Sequence, residues 1–130
     1  MGYRSDVAIE MEEKSFELMG QKLLEFKKAR PVEWKYFKPS VVKKYNGTRF
    51  CLSWDFVKWY KGYPDVSVVE GVLEQLLKEH AEEDGWSFYF IRVGEDDGDI
   101  EYRMNNTGFQ PDIYTSTTIK GLSKYASAKL

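Results

Sequence analysis

Lys43-Lys44-Tyr45-Asn46-Gly47-Thr48-Arg49-Phe50-Cys51-Leu52-Ser53-Trp54-Asp55-Phe56 is the stretch that decides the fold class. Asn46 and Gly47 both tolerate positive φ, as the type I′ turn of a tight hairpin requires. Beyond the turn, Phe50, Leu52, Trp54 and Phe56 fall on one face of a strand, with Arg49, Cys51, Ser53 and Asp55 on the other. Before it, Val32, Trp34 and Tyr36 alternate, Pro39 interrupts, and Val41 to Tyr45 resumes. The whole middle of the chain therefore reads as β, and the hairpin makes the sheet antiparallel there.

On the N-terminal side, Val7, Ile9 and Met11 alternate with Asp6, Ala8 and Glu10, which predicts a first strand. Phe16, Met19, Leu23 and Phe26 follow at helical spacing and predict a helix from Glu12 to Lys28, ended by Pro31. On the C-terminal side, Pro64-Asp65 opens a second helix. Ser67 and Glu70 have capping-box spacing, and Asp65 competes as the N-cap. Val66, Val69, Leu73, Leu76, Leu77 and His80 share its apolar face, and Asp84-Gly85 is its expected stop. Trp86 to Val93 reads as an aromatic strand, Gly94 to Asp99 as an acidic turn, and Ile100, Tyr102 and Met104 as the returning strand. Ile113 to Ile119 suits a last strand.

The order β-α-β-β-α-β with an added C-terminal hairpin predicts an α+β protein. Its economical form is a two-layer ferredoxin-like (split βαβ) antiparallel sheet with two helices on one face. A single domain is expected over residues 1–122, with 123–130 as a frayed end.

Composition narrows the functional classes. The chain has 130 residues, 42% hydrophobic and 31% charged, as in ordinary globular proteins, but its 16% aromatic content is high. So many rings cannot all be central, and a share is expected on the surface. Cys51 is the sole cysteine, which excludes an internal disulfide and thiolate-rich zinc sites; it is expected as a half-buried strand residue. No apolar run approaches a membrane span and the N-terminus lacks a signal peptide's apolar core, so a cytoplasmic protein is expected. The net charge of −2 hides a division. Residues 1–60 carry 12 basic against 8 acidic side chains, and residues 61–130 carry 7 against 13.

The chemistry-bearing candidates are few. Glu95, Asp96, Asp97, Asp99 and Glu101 place five carboxylates within seven residues. Such crowding is tolerated in solvent, beside bases or around a hard cation. EF-hand spacing fails, because with Gly98 at the loop glycine the end positions fall on Val93 and Met104. His80 is the only histidine, and its place on an apolar helix face predicts packing or a contact with the helix dipole. Ser53 and Asp55 have no spacing that supports a triad with it. No glycine-rich phosphate loop is present. Lys43, Lys44 and Arg49 with Tyr45 and Trp34 combine cations and rings as single-strand nucleic-acid binders do. The signatures of sheet-type RNA binders are missing, and the sequence pI is near 5.5. Trp59, Tyr60 and Tyr63 lie beyond the regular alternation and are expected to be exposed anchors for a protein partner.

Met1-Gly2-Tyr3-Arg4-Ser5-Asp6-Val7 resembles the opening of small proteins carried by tailed phages and prophages. Two further segments are similar to that group. One is Val57-Lys58-Trp59-Tyr60 with Tyr63-Pro64-Asp65-Val66; the other is Phe90-Ile91-Arg92-Val93-Gly94-Glu95-Asp96-Asp97 with Ile100-Glu101. The resemblance implies a setting and no reaction: accessory proteins of this kind act by binding host machinery or a defence system. The leading expectation is thus a non-enzymatic phage or prophage protein that binds a host or defence-system protein without a cofactor. Trp59, Tyr60 and Tyr63 would be its apolar anchors, and Glu95, Asp96, Asp97 and Asp99 its charges. Single-stranded nucleic-acid binding through residues 34–50 is the alternative, and a small divalent-metal-dependent enzyme built on the carboxylates the third.

Overall fold

The computed structural model describes residues 2–39, 41–45, 49–115, 118–120 and 126–127; the tight turn expected at Asn46-Gly47 lies outside them. The elements are β1 (Ser5–Glu12), α1 (Glu13–Ala29), α2 (Pro31–Phe37), β2 (Val41–Tyr45), β3 (Arg49–Val57), α3 (Pro64–Glu79), β4 (Phe88–Gly94) and β5 (Ile100–Met104). Three two-residue strands follow: β6 (Tyr114–Thr115), β7 (Ile119–Lys120) and β8 (Ala126–Ser127). The protein is α+β. One sheet runs in the order β5-β4-β1-β3-β2-β8, and β6 and β7 form a separate small ribbon. Every neighbouring pair is antiparallel. Ala126 and Ser127, within the segment read as a frayed end, pair with Lys44 and Lys43. Among the described residues no helix is long and apolar enough to cross a membrane.

β1 is central. Ile9 stands between Leu52 of β3 and Phe90 of β4, an apolar row facing the helices. Met19, Leu23 and Phe26 of α1 and Val66, Val69, Leu73 and Leu76 of α3 close over that face. An aromatic group fills the centre: the Trp54 and Trp59 rings are 5.3 Å apart, with Phe37 at 5.5 and 5.8 Å from them. The Trp54 indole N–H donates to the Phe37 carbonyl, which satisfies the polar end of a buried ring.

Expectations are corrected at three places: α2, the ends of α3 and the second sheet face. Val32 to Tyr36 is not a strand. Pro31 takes the first helical position, where its missing N–H costs nothing, and starts α2. Trp34 and Phe37, three apart, turn inward, while Val32 and Tyr36 are 68% and 79% exposed. The alternation therefore mixes the two sides of a helical turn, with Val32 and Tyr36 outside and Trp34 inside. The Ser67/Glu70 capping box does not form either. Tyr63 is the N-cap, the Ser67 hydroxyl donates to the Lys61 carbonyl at 2.8 Å, and Glu70 is drawn into ion pairs. Nor is Asp65 the N-cap; its carboxylate accepts the neighbouring Val66 N–H. α3 stops at Glu79, before Gly85, and His80 caps it, stacked on Trp86 at 3.7 Å.

The third correction concerns the second sheet face. Ala8, Glu10 and Cys51 were expected on a half-open side, yet all three have no exposed surface. Ile113 packs on Ala8, Cys51 and Ile91, with Ile119 beside them, so the chain after β5 crosses back and covers this face. Glu10 fastens it. Its carboxylate accepts the N–H groups of Asp112 and Ile113 at 2.8 and 3.0 Å and pairs with Arg49 at 3.1 Å. Arg49 also donates to the Gln110 carbonyl, pairs with Asp112 at 3.3 Å and lies over the Phe109 ring at 4.7 Å.

Removing the Glu10 carboxylate leaves the Asp112 and Ile113 N–H groups without this acceptor and Arg49 without one of its two acids. Glu10→Ala is expected to cost about 3 kcal/mol in urea unfolding followed by tryptophan fluorescence. Glu10→Gln, which keeps an acceptor for the two amides, is expected to cost less. An unchanged midpoint for Glu10→Ala would show that the carboxylate does not hold the segment.

Candidate functional site: the acidic end of the sheet

The N-terminal residues, the acidic turn and the end of β3 meet at one end of the sheet. Tyr3 joins them. Its backbone N–H donates to the Tyr60 hydroxyl at 2.7 Å, and its own hydroxyl donates to Asp99 at 2.6 Å and accepts the Asp96 N–H at 2.9 Å. The Arg4 N–H donates to Glu95 at 2.9 Å. Tyr60 in turn meets Tyr63 edge to face at 5.0 Å. Gly94 sits where these groups converge: a Cβ there would collide with the Asp99 carboxylate and the Tyr3 ring.

Bases hold the carboxylates apart. Arg92, the lone Lys or Arg between Glu79 and Glu101, grips Asp99 with two nitrogens at 2.8 and 3.2 Å and reaches Glu101 with its Nε at 3.1 Å. Arg103 continues the ladder from Glu101 to Glu70. Its Nε, 3.2 Å from Glu101, lacks hydrogen-bond alignment and contributes charge alone. Lys61 lies 3.9 Å from Glu70 and 3.8 Å from Glu101. Of the three origins open to a crowded acidic turn, the base-paired one applies to Asp99 and Glu101. Asp96 and Asp97 stay exposed at the tip. Among the described residues no group of three His, Cys, Asp or Glu side chains is placed to hold a metal ion.

Phe56 is the residue that sequence reasoning misplaced most. It was expected on the buried face of β3 but is 66% exposed, at φ +53. The register explains it. Ser5 pairs with Val57 and Val7 with Trp54, so β3 carries an extra residue there, a bulge that rotates Phe56 outward. The Asp6 carboxylate accepts the Phe56 N–H at 2.8 Å, and Arg4 stands 5.4 Å above the ring. Left-handed backbone is costly for a bulky side chain. Nothing in the alternation signals the bulge.

The other expected site residues are distributed unevenly. Trp59 is not exposed: it is 7% accessible, packs on Phe90, and donates to Glu70 at 3.2 Å. Tyr60 is half-buried and Tyr63 is 41% exposed. Trp34 is buried in α2, away from any hairpin, and Arg49 is committed to Glu10 and Asp112, so neither is placed to take a nucleic acid. The side chains of Lys43, Lys44 and Tyr45 lie outside the described part. A cavity of about 420 Å³ between α1 and α3, lined by Phe26, Ala29, Val68 and Val72, is a packing groove. Gly71 leaves it open, since a Cβ there would meet nothing within 4 Å.

The Arg92 guanidinium, then the Tyr3 hydroxyl, pull the Asp99 carboxyl from 3.8 down to about 2. A carboxylate whose folded value is depressed stabilises the fold above its ordinary value and stops doing so as pH falls through the folded one. Thermal midpoints are therefore expected to fall between pH 4 and pH 2 in the natural protein, and less so in Asp99→Asn. Equal slopes in the two proteins would exclude the Arg92–Tyr3–Asp99 cluster as the source. Gly94→Ala, which overpacks the same cluster, is expected to lose about 2 kcal/mol in urea unfolding at neutral pH.

Compared with family models, curated proteins and solved structures, the chain matches none of them.

Proposed function

We propose that the protein is a non-enzymatic accessory protein of a phage or prophage, which binds a protein of the host or of a defence system through the acidic end of its sheet. The observation that carries this reading is Phe56, a large ring held out to solvent at φ +53 beside the acidic tip. Strained backbone persists where the surroundings over-determine it, and such positions concentrate at binding and switching sites. Here Asp6, Arg4 and the bulge hold the ring in place. An exposed aromatic anchor flanked by charge suits recognition of a protein with a basic, apolar-centred surface.

Within this reading, Phe56 replaces Trp59 as the anchor. Tyr60 and Tyr63 form its flank, and Glu95, Asp96 and Asp97 give the field that steers a basic partner. Asp99 acts from behind, by fixing Tyr3 and the turn. The scaffold is read as ferredoxin-like: the four strands β4-β1-β3-β2 stand in the order of a split βαβ fold, extended by β5 and β8 at the two edges. The phage setting rests on the three segments of sequence resemblance.

Phe56→Gly separates function from folding, because glycine adopts positive φ without strain. It is expected to leave stability unchanged or raise it by up to about 1 kcal/mol, while abolishing partner capture. The double variant Asp96→Asn with Asp97→Asn is expected to weaken capture and to reduce its salt dependence. Tagged protein is used to capture partners from a bacterial host lysate with and without nuclease, read by mass spectrometry. A nuclease-resistant partner lost with Phe56→Gly supports the reading. Capture indifferent to both variants, or recovery of nucleic acid alone, overturns it.

A further inference from the structure

α2 is apolar on two sides. Trp34 and Phe37 face the core, while Val32 and Tyr36, four residues apart on the opposite side, are 68% and 79% exposed. A helix packed on one side is ordinarily polar on the other, so burial does not account for the outer pair. Every residue from Lys27 to Glu33 is exposed, which makes the joint between α1 and α2 a protrusion.

Cations surround it. Lys27 and Lys28 lie in the last turn of α1, Arg30 at the joint, Lys35 in α2 and Lys38 at its end. Across residues 27–38 the one acid is Glu33. Among the described residues none of the five basic side chains has an ion pair or a hydrogen bond, whereas Arg49, Arg92 and Arg103 are each paired with two acids. Like charges left together repel one another, and an anionic partner relieves that repulsion.

The residue types decide which anionic partner. Four of the five cations are lysines, flexible point charges suited to a field of mobile headgroups and not to the fixed, two-pronged recognition of one phosphate. Tyr36 is a lone ring, whereas single-stranded nucleic acid needs a succession of rings for successive bases. Val32 beside it is aliphatic and stacks on nothing. A bilayer interface takes all three types: aliphatic side chains enter it, tyrosine rings sit at headgroup level, and lysine stems lie along the apolar surface with their ammonium groups in water.

We propose that the α1–α2 joint docks the protein on an anionic phospholipid bilayer, seating Val32 and Tyr36 in the interface with the surrounding cations over the headgroups. Clusters of this size on an amphipathic helix are what anionic lipid surfaces attract. The net charge of −2 does not oppose it. Screening confines the field of the surface to about 8 Å at physiological salt, so the protrusion that enters the field is what responds to it. Two apolar side chains and a basic patch hold reversibly, far short of a spanning helix. The contact uses neither Phe56 nor the acidic tip and does not depend on the protein-binding reading above.

Flotation of the full chain with vesicles tests this, with equal parts phosphatidylglycerol and phosphatidylcholine set against phosphatidylcholine alone. The protein is expected to float with the anionic vesicles at low salt, to leave them at high salt, and not to float with the neutral ones. Lys27→Glu with Lys28→Glu reverses two charges at exposed positions and is expected to weaken binding at least tenfold, with the circular dichroism spectrum unchanged. Val32→Asp is expected to weaken it several-fold. Cys51 is buried, so a polarity-sensitive dye attached through Val32→Cys labels the protrusion alone. Its emission is expected to shift to the blue on anionic vesicles. A chain that does not float with them, or a folded lysine variant that floats as well as the natural protein, overturns the proposal. So does a labelled protein that floats without a blue shift, since its contact then lies elsewhere. Binding of a fluorescent single-stranded oligonucleotide, lost in the lysine variant while vesicles go unbound, assigns the joint to nucleic acid and overturns it too. Should the lysine variant unfold, the dye decides.

Discussion

A carboxylate buried in the middle of the central strand governs the rest of the molecule. Glu10 has no exposed surface, and an ion so placed must be met by charge and by hydrogen-bond donors. β3 supplies Arg49, and the chain a hundred residues later supplies the amides of Asp112 and Ile113. One side chain near the start of the sequence thereby fixes where the segment around Asp112 and Ile113 lies. With that face closed over Ala8, Cys51 and Ile91, β1 is buried on both sides. Among the described residues, the end where the strands turn keeps Phe56 and the acidic tip exposed.

That end is organised by the same logic at lower burial. Asp99 and Glu101 are neutralised by Arg92 and by Arg103 or Lys61, and Tyr3 ties the turn to the 58–63 segment. Two of the five acids are consumed in building the turn, and Asp96 and Asp97 are left facing outward. The cluster of like charges is thus a division of labour, in which paired carboxylates fix the backbone that presents the exposed ones. The split in charge along the chain is bridged in part: Arg49 of the basic half pairs with Asp112 of the acidic half.

Regular elements with one apolar face were legible in the sequence. The Val7-Ile9-Met11 alternation, the Phe16 to Phe26 stripe and the Val66 to Leu76 stripe each correspond to an element of the right kind within a residue or two at its start. The α+β class follows from their order. Short segments were not legible, because Val32-Trp34-Tyr36 satisfies a strand period while Trp34 and Phe37 satisfy a helical one. Proline at a first helical position was the discriminating signal. The return of residues 109–120 over the second face was hidden for a different reason: it depends on a carboxylate that reads, by alternation, as solvent-facing. At the site, the acidic turn and Tyr60 could be singled out from residue type. Phe56 went outward because the bulge breaks the alternation within β3, and Trp59, beyond the strand's end, turned inward onto Phe90 and Glu70.

The position of β1 has a consequence for how the chain reaches this state. Its two neighbours are remote: Met11 pairs with Phe50 on one side and Ser5 with Gly94 on the other. β1 therefore precedes both of its partners in the chain and must wait for each of them. Closing such long loops precedes any reward from pairing, which places this topology among the slower folders of its size. During that interval an apolar strand, Val-Ala-Ile-Glu-Met, is without cover, and its single acidic residue is what interrupts an otherwise sticky segment. Glu10, which locks the finished structure, also guards the nascent one.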